Sequence, residues 1–242
     1  MNLRGRRRQT TGEQDRAMLE SNLSGSPAKR QAAAVPFSCA ALFVRRDSIY
    51  KTMPGIDCYD IERDARHYAG RLPVIAHPPC RAWGSLRHVA KPRPDEKELA
   101  VFAVKSVRRC GGVLEHPARS TLWIHCGLPR PGDCPDRFGG FTVALEQFWF
   151  GHRAQKQTWI YICGISPADV PPIPFKPGKA EYVISVDGAK RRAERGIGHL
   201  PPRKQVSKAE REQTPLAFAV FLVSIACLSR KAGNSRPEGG TA

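Results

Sequence analysis

Two short stretches carry residues able to do chemistry. The first is His77-Pro78-Pro79-Cys80, which follows the apolar run Leu72–Ala76. Two successive prolines cannot continue a β-ladder, so they set a stiff loop at the end of a strand. In open α/β sheets, reacting groups collect at such ends. A thiol there, flanked by His77 and Arg81, could act as a nucleophile, because nearby positive charge lowers a thiol pKa. Alternatively, Cys80 is simply half-buried in a proline turn. The second stretch is Glu115-His116-Pro117, which follows the strand-like Val113-Leu114. It again puts polar groups at a strand end held by proline. About 35 residues separate Cys80 from Glu115, roughly one βαβ repeat. If the two strands are neighbours in a parallel sheet, thiol and carboxylate face one crevice.

The elements needed to position them can be read along the chain. Residues 38–44 predict a first buried strand, 56–61 a second and 72–76 a third. Asp57 and Asp60 lie near the end of the second. An acidic residue there can take a ribose hydroxyl in nucleoside-binding α/β folds, which makes Asp60 or Glu62 a candidate. The alternative is a surface acid opening a helix over 63–70. Asp95 predicts an N-cap, with Glu96 and Glu98 in the first turn of a helix whose stripe is Leu99, Phe102, Ala103, Ser106 and Val107. Gly111-Gly112 ends it. Residues 141–150 and 159–165 predict an antiparallel hairpin, 181–185 a possible strand, and 207–229 a closing helix. The uncharged part of that helix, Pro215–Ser229, is too short for a membrane span. The aromatic run Phe148-Trp149-Phe150 reads as core rather than a stacking platform.

The chain has 242 residues and 41% hydrophobic content, enough for one core. We expect a single α/β domain over 35–230, a disordered basic arm over 1–34 and a free tail over 231–242. The net charge of +17 points to a polyanion, with nucleic acid first; the alternative is a basic tail on a neutral domain. The eight cysteines include no CxxC pair and no secretory signal opens the chain, so reduced thiols in the cytoplasm are expected. The spacing of His125, Cys126 and Cys134 fits no established zinc pattern, and no metal is expected.

Taken in order, these pieces resemble a family. Pro78-Pro79-Cys80, then Glu115-x-Pro117, a basic hairpin, and a final helix opening Thr214-Pro215-x-x-x-Ala219 are similar to the DNA cytosine-5 methyltransferases, in particular short, divergent bacteriophage and prophage members. The resemblance spans roughly 38–228. It implies a Rossmann-like S-adenosyl-L-methionine (SAM)-dependent fold, a mostly parallel sheet with a terminal antiparallel hairpin. It implies Cys80 as the nucleophile that adds to cytosine C6, and Glu115 as the acid beside N3 and the exocyclic amine. Arg153 and Lys156 are candidates for a cation near O2. Gln155-Lys156-Gln157-Thr158-Trp159 matches the basic motif. Asp60, Pro78, Thr214 and Pro215 fall at the cofactor, and Pro79, His116 and Gln155 at the base; His116 reads equally well as a turn residue. The partner implied is DNA, with its cytosine flipped out or already single-stranded.

The series departs from the family in three places. Arg45-Arg46-Asp47-Ser48 follows the first strand, with no glycine before Gly55, where the family brings glycine backbone close to its cofactor. Gln157 and Trp159 stand where arginines are expected. Only about fifty residues, including a reduced insert over 166–206, separate Gly164 from Thr214, short of a typical target-recognition domain. Site choice is then loose, supplied by a protein partner, or absent. Three readings follow: a cytosine-C5 methyltransferase or a relative using another donor; a nucleic-acid-binding relative without turnover; or an unrelated α/β protein with structural turns.

Overall fold

In this computed structural model, the described residues are 38–184 and 204–233. The chain divides into units 1–34 and 35–242; the first, expected to be a basic arm, lies outside the described residues, as do 185–203 and 234–242.

Six strands form one sheet: β1 (Cys39–Leu42), β2 (Ile56–Tyr59), β3 (Val74–Ala76), β4 (Gly112–Pro117), β5 (Phe141–Glu146) and β6 (Gln157–Cys163). Their order is β2-β1-β3-β4-β6-β5. The first four are parallel, while β6 runs antiparallel to both β4 and β5. The protein is therefore α/β with a mostly parallel sheet. The antiparallel pair differs from the simple terminal hairpin expected, because β6 slots between β4 and β5. The expected strand over 141–150 stops at Glu146, and Gln147–Phe150 coil into a 3-10 turn.

Side-chain alternation decides which residues meet. Ala40, Leu42, Val74, Ala76 and Leu114 face helix α1 (Glu96–Cys110), which buries Ala100, Ala103, Val104 and Val107 against them. Cys39, Ala41, Ile75 and Val113 face the other way, onto Phe218, Leu222 and Ile225 of the closing helix. A strand's period of two therefore puts His77 and Glu115 on the closing-helix face and His116 on the α1 face.

The helical expectations hold with adjustments. Asp95 precedes α1 but makes no side-chain cap; it pairs with Arg66 at 3.1 Å instead. The predicted helix over 63–70 is a 3-10 turn, Ala65–His67. A short helix, α2 (Leu122–His125), follows β4. The final helix is broken: α3 (Lys208–Glu212) is separated from α4 (Leu216–Gly233) at Thr214-Pro215. Proline lacks the N–H needed inside a helix but suits a first turn, and the Pro215 carbonyl accepts Ala219 N–H at 2.9 Å. By length and composition alone Lys208–Ser229 suffices to cross a membrane; in the fold Phe218, Ala219, Phe221, Leu222, Ile225 and Ala226 are buried in the core.

The β3–α1–β4 crossover depends on Gly112. Its φ is +113°, and a Cβ there would stand 2.1 Å from the Val74 carbonyl oxygen and 2.6 Å from Val74 N. Val74 is central β3 backbone and cannot yield. Gly112→Ala is expected to cost about 3 kcal/mol or more from overpacking and backbone strain. Gly139→Ala, at φ +70° in open space, should cost only about 1–2 kcal/mol. Urea unfolding of both variants beside wild type checks the difference.

Candidate active site

The strand order changes direction between β1 and β3: the chain leaves β1 toward β2 on one side and β3 toward β4 on the other. A crevice opens at such a switch point, outside the carboxyl ends of the strands. The loop after β1 borders it on one side and His77–Cys80 on the other. The His77 N–H donates to the Leu42 carbonyl at 3.1 Å, extending the ladder to the lip of the crevice.

A chain of buried polar side chains crosses these strand ends. Tyr50, from the 3-10 turn Ile49–Thr52, lies with its hydroxyl 3.0 Å from His77 Nε2. His77 Nδ1 lies 3.0 Å from Glu115 Oε2. On the far side Gln147 Nε2 donates to Glu115 Oε1 at 3.1 Å and to Thr158 Oγ1 at 3.1 Å. Glu115 is thus held from both sides on a central strand. Its side chain is 11% exposed and that of His77 13%, so both are nearly buried.

Electrostatics follow from this burial. Burial alone would raise the Glu115 pKa, but the His77 hydrogen bond and the Lys156 charge outweigh it and hold it at about 2. Cys80 moves the other way. Burial pushes its thiol above the usual range, the Glu115 charge adds to that, and Lys156 opposes it. Cys80 at rest is therefore a thiol, contrary to the lowered pKa that flanking His77 and Arg81 suggest in sequence. Arg81 is already spent: its guanidinium grips the fully buried Glu96 carboxylate in the first turn of α1, with one contact at 2.9 Å. That pairing anchors the turn after Cys80, where Trp83 and Gly84 N–H donate to the Cys80 carbonyl at 3.0 and 2.7 Å.

The structure gathers some predicted residues and disperses others. Cys80, Glu115 and Lys156 interact electrostatically. Pro78 is buried and Pro79 half-buried beneath Cys80, and Gln155 is half-buried next to Lys156. Arg153 is not brought to Glu115: it forks onto Glu210 at 2.6 and 2.5 Å and stacks on Tyr182 at 4.3 Å. His116, expected at the base or in a turn, is fully buried on the opposite face, with its ring 6.3 Å from Trp123. Neither of its nitrogens has a hydrogen bond of ordinary geometry, and the Pro79 carbonyl lends only weak support. Burial drives this imidazole down to about 4. Asp60 does end β2, but its carboxylate accepts from Lys51 Nζ at 2.5 Å and from Glu62 and Arg63 N–H at 2.9 and 3.0 Å, which holds its pKa at about 2. Thr214 and Pro215 are half-buried at the α3–α4 break.

Tyr50 and Gln147 went unread in the sequence, and Thr158 reads there only as part of the basic motif. A glutamine within the apolar run of 141–150 was the available signal for Gln147; nothing marked Tyr50.

The loop after β1 does not offer the contacts by which a glycine-rich loop holds SAM. Phe43 takes φ +61° there, and its ring packs edge-on against Phe102 at 6.4 Å. Arg45 ties the loop to Asp47 and to Glu212, at 2.8 and 2.7 Å. With Asp60 also occupied, the residues at the ends of β1 and β2 do not fit that cofactor in the family's manner. No protein-family model, curated protein or solved structure matches this chain.

Two outcomes are expected. Iodoacetamide labelling of Cys80, followed by peptide mass mapping at pH 7–8, should be slow in wild type. It should be faster in Glu115→Gln, which removes a charge that raises the thiol pKa, and slower in Lys156→Met. Separately, His116 has a folded pKa below its unfolded value of 6.5, so the unfolded chain binds the extra proton. Its contribution is complete above pH 6.5 and is lost as pH falls toward about 4, a change of roughly 3 kcal/mol. His152, also pushed down by burial, adds in the same direction. His116→Phe should remove the larger part of that slope in urea titrations between pH 7 and 4.

Proposed function

We propose that the chain modifies C5 of cytosine in DNA through a covalent bond between Cys80 Sγ and C6; the motif series points to SAM as the methyl donor, which the ends of β1 and β2 do not hold in the family's manner. The observation that carries this reading is the convergence of Cys80 and Glu115, from consecutive strands of a βαβ unit, on the switch-point crevice, close enough for the Glu115 charge to act on the thiol. The parallel sheet with an antiparallel pair at one edge is compatible with the Rossmann-like fold that such an enzyme calls for.

The residues divide the work. Cys80 loses its proton and adds to C6; the C5=C6 electron pair moves to C5, which becomes enamine-like and able to attack an electrophile. Glu115 binds the N3 and exocyclic-amine edge, where charge develops during addition. Lys156 is the cation left at the crevice once Arg153 is committed to Glu210. Once C5 has bonded to an electrophile, its proton is lost to solvent, the C5–H electrons reform C5=C6, and Sγ leaves as a thiolate that takes back a proton from solvent. The net charge of +17 suits phosphate binding. The cytoplasm, a DNA substrate in flipped-out or single-stranded form, and a partner protein for site choice are parts of this reading.

A second reading, a cytosine-C5 enzyme with a different donor, is favoured by Phe43 and the Arg45–Glu212 tie at the cofactor end.

Two assays separate these. Methyl-labelled SAM with single- and double-stranded DNA should label cytosine in wild type and not in Cys80→Ala. Tritium release to water from DNA carrying [5-3H]cytosine needs only the C6 adduct and no donor. Release without label transfer would favour the second reading. Neither signal, or equal signals from Cys80→Ala, would sink the Cys80 mechanism and leave a nucleic-acid-binding protein.

A further inference from the structure

The run Phe148-Trp149-Phe150 reads as core in the sequence, and in the fold only part of it is. With Gln147 it coils into the 3-10 turn after β5, where Gln147 and Phe150 are buried. Side chains three apart eclipse in a 3-10 helix, so these two share one side of the turn. Gln147 reaches Glu115, and Phe150 packs on Phe218 and Phe221. Phe148 and Trp149 are left half-buried.

A second segment meets them. Pro171, Pro172, Pro174 and Pro177 stiffen it by fixing their own backbone angles, and Ile173 packs against the core. Phe175 does not: it is 74% exposed. Its ring stands at 64° to that of Trp149, with centroids 5.4 Å apart. Lys176, next in the chain, sets Nζ 4.6 Å from the Phe148 ring centre and joins no ion pair among the described residues. Three rings and an ammonium thus lie together, on the turn that also delivers Gln147 to Glu115.

We infer that Phe148, Trp149, Phe175 and Lys176 form a stacking platform for unpaired bases beside the target, which makes the substrate a single-stranded nucleic acid. The inference deepens the cytosine reading and rests on it for the place of the target base; binding to the platform does not depend on the Cys80 chemistry. Each component matches one part of a single strand. Aromatic rings take the faces of bases, and the ammonium takes a phosphate. In a duplex those faces are already covered by neighbouring bases, so the rings gain nothing there. A protein fits the surface less well, because lysine is depleted from protein–protein interfaces, and the charge of +17 repels a second copy of this chain. The prolines favour binding as well, since a stiff segment loses little freedom when it is covered. Stacking discriminates poorly among bases, which suits a chain with only a short insert over 166–206.

Fluorescence anisotropy with an end-labelled, cytosine-containing oligonucleotide, offered as a single strand and as its duplex, tests this. Wild type should bind the single strand more tightly. Phe175→Ala should weaken that binding about tenfold and leave the duplex unchanged; the side chain is exposed, and an unchanged thermal melt by circular dichroism checks that the variant is folded. Phe175→Tyr should retain the affinity and Phe175→Leu should not, which separates stacking from plain apolar contact. Lys176→Met should reduce the slope of log affinity against log salt by about 0.7, the share of one phosphate on a single strand. Equal losses on single strand and duplex, no loss in Phe175→Ala, or full affinity in Phe175→Leu would overturn the inference. Absence of single-strand binding would overturn it too and leave a protein partner as the occupant of the rings. Ring-dependent binding of the single strand with neither label transfer nor tritium release would instead overturn the cytosine reading and leave the platform in place.

Discussion

The hydrogen bond between His77 and Glu115 is the constraint around which the rest is arranged. A carboxylate on a central strand loses most of its water, and the penalty in a protein interior is several kcal/mol. It stays ionised because the His77 hydrogen bond from the β3 loop and the Lys156 charge outweigh that penalty, while Gln147, from the turn after β5, donates to its other oxygen. Each charged hydrogen bond of this kind returns roughly 1.5–3 kcal/mol. His77 in turn is oriented by Tyr50 from the loop after β1. Four separate segments must therefore be in place before the carboxylate is tolerated, and removing any one leaves a buried polar group without its partner.

The sheet supplies that placement. β1, β3 and β4 pair in parallel, so their carboxyl ends, and the loops that follow, lie along one edge. β5 runs in the same sense because two antiparallel pairings separate it from β4, which brings Gln147 to that edge as well. Gly112 lets β4 approach Val74 closely, and α1 and α4 seal the two faces. Rigid strands under a polar network are a sound support for chemistry, because the side chains keep their geometry without relying on mobile loops.

The pair so held has opposing electrostatics. Glu115 is anchored in its charged form, and its charge helps keep Cys80 protonated. A thiol poised beside a carboxylate is quiet toward solvent. At the ends of β1 and β2, Phe43, the Arg45–Glu212 pair and the Lys51–Asp60 pair occupy the places where the resemblance calls for a glycine loop and a free acid.

Much of this was legible in the residues. Prolines after Ala76 and Leu114 fixed where strands stop, and the βαβ spacing brought Cys80 and Glu115 together, because local geometry and chain length suffice for both. The period of two even determines that His116 must face away from Glu115 once Val113 and Leu114 are assigned their sides. Sequence alone did not decide what each polar group would meet. His77 and Arg81 lie within three residues of Cys80 in the chain, yet one serves Glu115 and the other Glu96. Arg153 precedes the matched Gln155–Trp159 stretch, yet it is claimed by Glu210 on α3. Tyr50 carried no motif at all. Hydrogen bonds and charges act over a few ångströms in space and are indifferent to distance along the chain, so only the tertiary structure could assign those partners.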